Sequence, residues 1–181
     1  MTPGATNRRR QTRSPTIFAR LAAGSVCAIK LILIAGAALA GDNPLLGTWK
    51  LMSFARQDAA TGERRPALGE RPEGYLGYAP DGRMYALFVA GGRVVPTGEQ
   101  PTDAERALLH KTMLAYAGTY TISGETVVHH IDTAWNNARL GTDQVRHFNL
   151  NGDVLTLTTE RNKSPVDGSD GFGVLEFERV K

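Results

Sequence analysis

Cysteine is almost absent from this chain: the single copy, Cys27, lies within the first 40 residues. Acidic residues are absent from that same stretch, which carries the cations Arg8, Arg9, Arg10, Arg13, Arg20 and Lys30. Long apolar runs are missing too. The run LILIAGAALA, from Leu31 to Ala40, falls short of the roughly 20 apolar residues a helix needs to cross a bilayer. A basic stretch, a short apolar run and the ending Ala38-Leu39-Ala40 have the form of a secretory signal peptide. Lys30 and Gly36 interrupt any longer anchor, the arginine triplet lacks a twin-arginine consensus, and GSV before Cys27 is a poor lipidation box. We therefore expect residues 1–40 to be a leader and 41–181 to be one domain, exported to a periplasm or beyond the cell, with no stable membrane span after cleavage.

Each absence excludes chemistry. A mature chain without cysteine has no disulfide, thiolate metal site or cysteine nucleophile. Without the leader, 15 Lys and Arg face 18 Asp and Glu, and the whole-chain charge of +3 becomes −3. The basic surface that nucleic-acid binding needs is then gone. No Gly-x-Ser-x-Gly elbow marks a serine nucleophile, and the glycines sit in turns instead of a phosphate loop.

What is present is a regular series of turns. Pro80-Asp81-Gly82, Gly91-Gly92, Ser123-Gly124 and Asn151-Gly152 each separate two runs rich in apolar or β-branched residues. This spacing predicts strands near 46–56, 73–79, 83–90, 117–122, 126–133, 143–150, 154–160 and 173–180. The expected fold class is all-β: eight antiparallel strands are enough to close an up-and-down barrel around side chains or one small ligand. One segment departs from the meander. In TDAERALLHKTMLAY, 102–116, Thr102 and Glu105 form a capping box, and Leu109, Met113 and Tyr116 recur at helical spacing. It is expected to be one inserted α-helix plugging a barrel opening. Residues 57–72 and 161–171 read as polar loops.

The first strand, LLGTWKL, contains Gly47-Thr48-Trp49, which resembles the Gly-x-Trp signature of lipocalins; Arg179 is the candidate for the basic residue that packs over that ring. GYLGYAPDGRMYA at 74–86, LAYAGTYTI at 114–122, VVHH at 127–130, GTDQVRHFNL at 141–150 and LTLTT at 155–159 extend the likeness. Together they resemble the bacterial lipocalin-like domain family over almost the whole mature chain. The resemblance implies a calycin-type barrel and says little about ligand or reaction. Gln144 stands where lipocalins usually place an aromatic, and their usual disulfide is impossible here.

TVVHHIDTAW, 126–135, is the most chemically suggestive stretch. Neighbouring strand residues point to opposite faces, so His129 and His130 cannot share a metal ion. Val127, His129, Ile131 and Thr133 form the more apolar set, which favours His129 inside and His130 with Asp132 near solvent. On the next strand, Phe148 and Leu150 place Gln144 and Arg146 inward as well. An inward arginine needs a partner: a ligand carboxylate or carbonyl, or an internal salt bridge to Asp132 or Glu176. No His-x-His or His-x3-His spacing supports a metal site, and no cofactor is expected, haem on His129 or His147 being the alternative. Tyr85 and Trp135, ahead of Tyr75 and Tyr116, are the expected aromatic cavity walls.

These readings converge on an exported barrel that binds a small, mostly apolar molecule through Arg146, Gln144, His129, Tyr85 and Trp135. The rival is a cofactor-free isomerase, cyclase or hydratase in which His129 transfers a proton and Arg146 stabilises negative charge. A third class is an envelope protein whose barrel is filled by its own side chains.

Overall fold

Residues 43–164 and 168–181 are described in a computed structural model; the expected leader lies outside the described residues. Ten strands follow one another in antiparallel pairing: β1 (Gly47–Asp58), β2 (Arg64–Pro66), β3 (Glu73–Tyr78), β4 (Arg83–Val89), β5 (Met113–Ser123), β6 (Thr126–Ala134), β7 (Asp143–Asn151), β8 (Val154–Thr159), β9 (Asn162–Lys163) and β10 (Asp170–Arg179). Pairing of β1 with β10 closes eight of them into a barrel, while short β2 and β9 extend the rim beside β1 and β10. Both short strands lie in segments expected to be loops.

Local chemistry explains the hairpins. The β5–β6 and β7–β8 turns place Gly124 and Gly152 at φ of 57° and 59°, a region that costs side chains with a Cβ. Along β6 and β7 the period-two pattern sorts apolar residues inward, and the barrel closes because that face is continuous from strand to strand. Trp49, Phe177, Leu45, Leu76, Leu155, Val127 and His129 are its most deeply buried large side chains.

The helix is shorter than its spacing implied. The observed helix, α1, spans Asp103–Lys111, with the Thr102–Glu105 capping box formed in both directions. Thr112 ends it by hydrogen bonding back to the Leu108 carbonyl, and Met113–Tyr116 instead pair with Val89–Ala86 of β4. A ladder of cross-strand hydrogen bonds therefore overrides the i, i+3 spacing that made Met113 and Tyr116 look helical. A second correction concerns Thr133, which is exposed. Ala117 pairs with Thr133 but Gly118 with Ile131, so Asp132 is an extra residue that reverses side-chain parity beyond it. A Cβ on Gly118 would lie 1.9 Å from the His130 carbonyl oxygen, which is why the close approach at this bulge requires glycine.

One end of the barrel is sealed. Trp49 is fully buried and donates from Nε1 to the Leu45 carbonyl at 2.8 Å. The Arg179 guanidinium lies over its ring at 4.0 Å and donates to the carbonyls of Leu46 and Pro44. The expected cation–aromatic partnership is thus present.

Candidate functional site

At the opposite end the strands enclose a cavity of about 820 Å³, within the range of roughly 300–1,000 Å³ typical of small-molecule pockets. Its inner wall is apolar, with Leu76, Phe88, Leu157, Leu175 and Phe177 contributed by β3, β4, β8 and β10. Its mouth is bordered by the C-terminal end of α1, by Trp135 after β6, and by the 3-10 turn Asn137–Arg139. No residue of α1 is buried, so the helix rests at the rim and does not fill the barrel.

Polar groups gather on one side. β7 turns Gln144 and Arg146 inward, as their parity with Phe148 and Leu150 required, and the 3-10 turn brings Arg139 down beside them. Arg139 donates from Nη1 to Gln144 Oε1 at 3.0 Å, and Arg146 Nη2 approaches the same oxygen at 3.4 Å. Arg146 also donates to the carbonyl of Val145, and the Gln144 amide donates to Thr142. Burial pulls the Arg139 pKa below its ordinary value, opposed by the attraction of Tyr116 and aided by a smaller repulsion from Arg146. The internal salt bridges that are the alternative to a ligand contact for Arg146 do not form: Asp132 pairs outside the barrel with Arg83, and exposed Glu176 accepts from Ser53.

Trp135 also belongs to the mouth. Arg139 packs over its ring at 5.4 Å, and the His110 ring of α1 lies 6.2 Å away. Its Nε1 is buried without a hydrogen-bond partner. Arg56 borders the cavity but is committed to the rim, donating to Asn162 of β9 and to the Ser169 carbonyl.

Two expected wall residues are placed elsewhere. Tyr85 is 45% exposed on the outer face of β4, where its ring covers Gly77 so closely that a Cβ there would sit 2.2 Å from it. Tyr75 is equally exposed. The β4 alternation puts Met84, Ala86 and Phe88 inside and necessarily sends Tyr85 out. His129 does face inward, but it sits in the core and not on the cavity wall. Tyr78 meets its Nε2 at 2.7 Å and Tyr116 its Nδ1 at 3.0 Å, so both ring nitrogens are occupied. Burial, with smaller contributions from Arg146 and His130, pushes its pKa down to about 3, and burial also raises that of Tyr78 well above normal. His129 is consequently a neutral link between two phenols. Only Tyr116 of the three borders the cavity.

His130 and His147 point away from the cavity, whereas His110 borders its mouth. His130 pairs with Asp143 and His147 with Glu160, each at 2.7 Å on the outer surface. Among the described residues no three His, Asp or Glu side chains come together in a way that could hold a metal ion, and no helix is long and apolar enough to cross a membrane.

Sequence reasoning missed Arg139 and Tyr78. Tyr78 shares parity with Leu76 and was accessible from alternation alone. Arg139 lies outside any periodic element, and only its nearness in sequence to Trp135 hinted at a shared role.

A closed eight-stranded antiparallel barrel, sealed by a tryptophan at one end and hollow at the other, defines the architectural class. Residues 46–180 match the lipocalin-like domain family, and the chain belongs to it. A search of curated proteins gave no match.

Proposed function

We propose that this protein is an exported binding protein that carries a small, mostly apolar molecule inside its barrel, oriented by Arg146 and Gln144. One observation carries the reading: an apolar cavity of about 820 Å³ has its inward arginine and glutamine on one side, at a mouth that α1 leaves unfilled. Burying a hydrocarbon surface against Leu76, Phe88 and Phe177 supplies roughly 25 cal/mol per Å² of apolar area removed from water, whereas the polar side fixes orientation. The cavity also argues against a barrel packed solid by its own side chains. The state of His129 supports binding over an isomerase, cyclase or hydratase. A proton-transfer residue needs reach to the substrate, and His129 has both nitrogens engaged behind Tyr116.

The test is native mass spectrometry with an absorption spectrum, on protein expressed with its leader and purified from the export compartment. We expect a chain beginning at Gly41 with a retained small molecule. A Soret band would favour haem instead. A chain that is empty and also fails to take up apolar probes in titration would refute the carrier reading.

A further inference from the structure

We propose that the ligand is an anionic amphiphile, its single carboxylate held between Arg139 and Arg146 and its apolar tail lying along the barrel wall. The inference rests on the carrier reading above and adds the chemical class.

Two guanidinium groups converge on one neutral acceptor, Gln144 Oε1, at the side of an apolar cavity. Neither has a carboxylate partner among the described residues. The two acidic residues that border the cavity, Asp143 and Glu160, are engaged on the outer surface by His130 and His147. Arg56, His110, Lys111 and Lys163 also border this end, so the surrounding field favours an anion. Like charges gathered in a partly desolvated site are costly until a counter-charge arrives, and two guanidinium forks offer a carboxylate more than one charge-assisted hydrogen bond. The Trp135 Nε1 is a further donor at the same mouth, already buried and without a partner. A neutral ligand would leave the repulsion between Arg139 and Arg146 in place; a carboxylate removes it.

Dodecanoate below its micelle-forming concentration and dodecanol within its aqueous solubility, both at neutral pH, separate the headgroup from the tail. Calorimetric titration of the processed protein should give dodecanoate a Kd at least about tenfold lower than dodecanol. Arg139→Gln and Arg146→Gln should each weaken dodecanoate by about tenfold and dodecanol by less than about threefold, and the retained dodecanol binding also shows that the variants are folded. Equal affinity for the two probes overturns the anionic class but leaves the carrier reading standing. Failure of both to bind overturns the two together.

Discussion

The two ends of the barrel use the same pair of side chains to opposite effect. At the sealed end, Trp49 lies under Arg179, its indole N–H bonded to Leu45 and the guanidinium bonded to two backbone carbonyls. At the open end, Trp135 lies under Arg139, its indole N–H has no partner, and the guanidinium shares one glutamine oxygen with a second arginine. At the first end the indole N–H and both Nη groups of the guanidinium donate to the protein's own carbonyls; at the second the indole N–H is left over. A tryptophan–arginine pair is therefore structural where its hydrogen bonds are internally satisfied and available for recognition where they are not.

The largest expected difference is in stability. Trp49→Ala should cost about 3–5 kcal/mol, whereas Trp135→Ala, at a rim already lined by a cavity, should cost less than about 1.5 kcal/mol. Urea denaturation reads both, and equal losses would erase the distinction between the ends. Next in size is His129→Leu, which leaves the hydroxyls of Tyr78 and Tyr116 buried without their partner and should cost about 2–4 kcal/mol.

The same histidine predicts a pH dependence with a definite sign. Its pKa is about 3 in the folded chain against 6.5 when unexposed to these surroundings. The unfolded chain therefore takes up the proton first, and folded-state stability should fall as pH drops from about 6.5 toward 3, by at most about 1.4 kcal/mol per pH unit. Urea midpoints at pH 7, 5 and 4 would show this, and His129→Leu should remove that part of the slope. A parent and variant with identical acid profiles would mean that His129 is not held neutral.

Smaller effects sharpen the contrast between the arginines. Arg179→Met should destabilise by about 1–2 kcal/mol through loss of its ring contact and carbonyl hydrogen bonds. Arg146→Met should change stability by less than about 0.5 kcal/mol in either direction, because removing one of two like charges offsets the lost contact with Gln144. Thermal melts of the ligand-free variants compare the two. Smallest is Trp135→Phe: an unchanged melt with a few-fold weaker dodecanoate affinity is the expected signature of one lost N–H donor.

Local pattern made much of this legible. Turn glycines and period-two alternation located all eight barrel strands, the Thr102–Glu105 box located the start of α1, and the Phe148–Leu150 parity turned Gln144 and Arg146 inward. Errors arose where a neighbouring strand outvoted local spacing. Met113 and Tyr116 have helical spacing yet pair with β4, and Thr133 loses its inward parity to the bulge at Asp132. Tyr85 illustrates a different limit, because an aromatic suits a cavity wall or a cover for Gly77 equally well until the register is known.

By itself, then, the sequence determined the barrel, its sealed end and the inward direction of His129 and Arg146, since each depends on side-chain periodicity and on turns of two or three residues. Tertiary structure alone decided that His129 is locked between Tyr78 and Tyr116, that Arg139 joins Arg146 on Gln144, and that the space beside them is hollow. The reason is distance along the chain. Tyr78 and His129 are 51 residues apart, and no local pattern encodes a contact that exists only once the strands have closed into a ring.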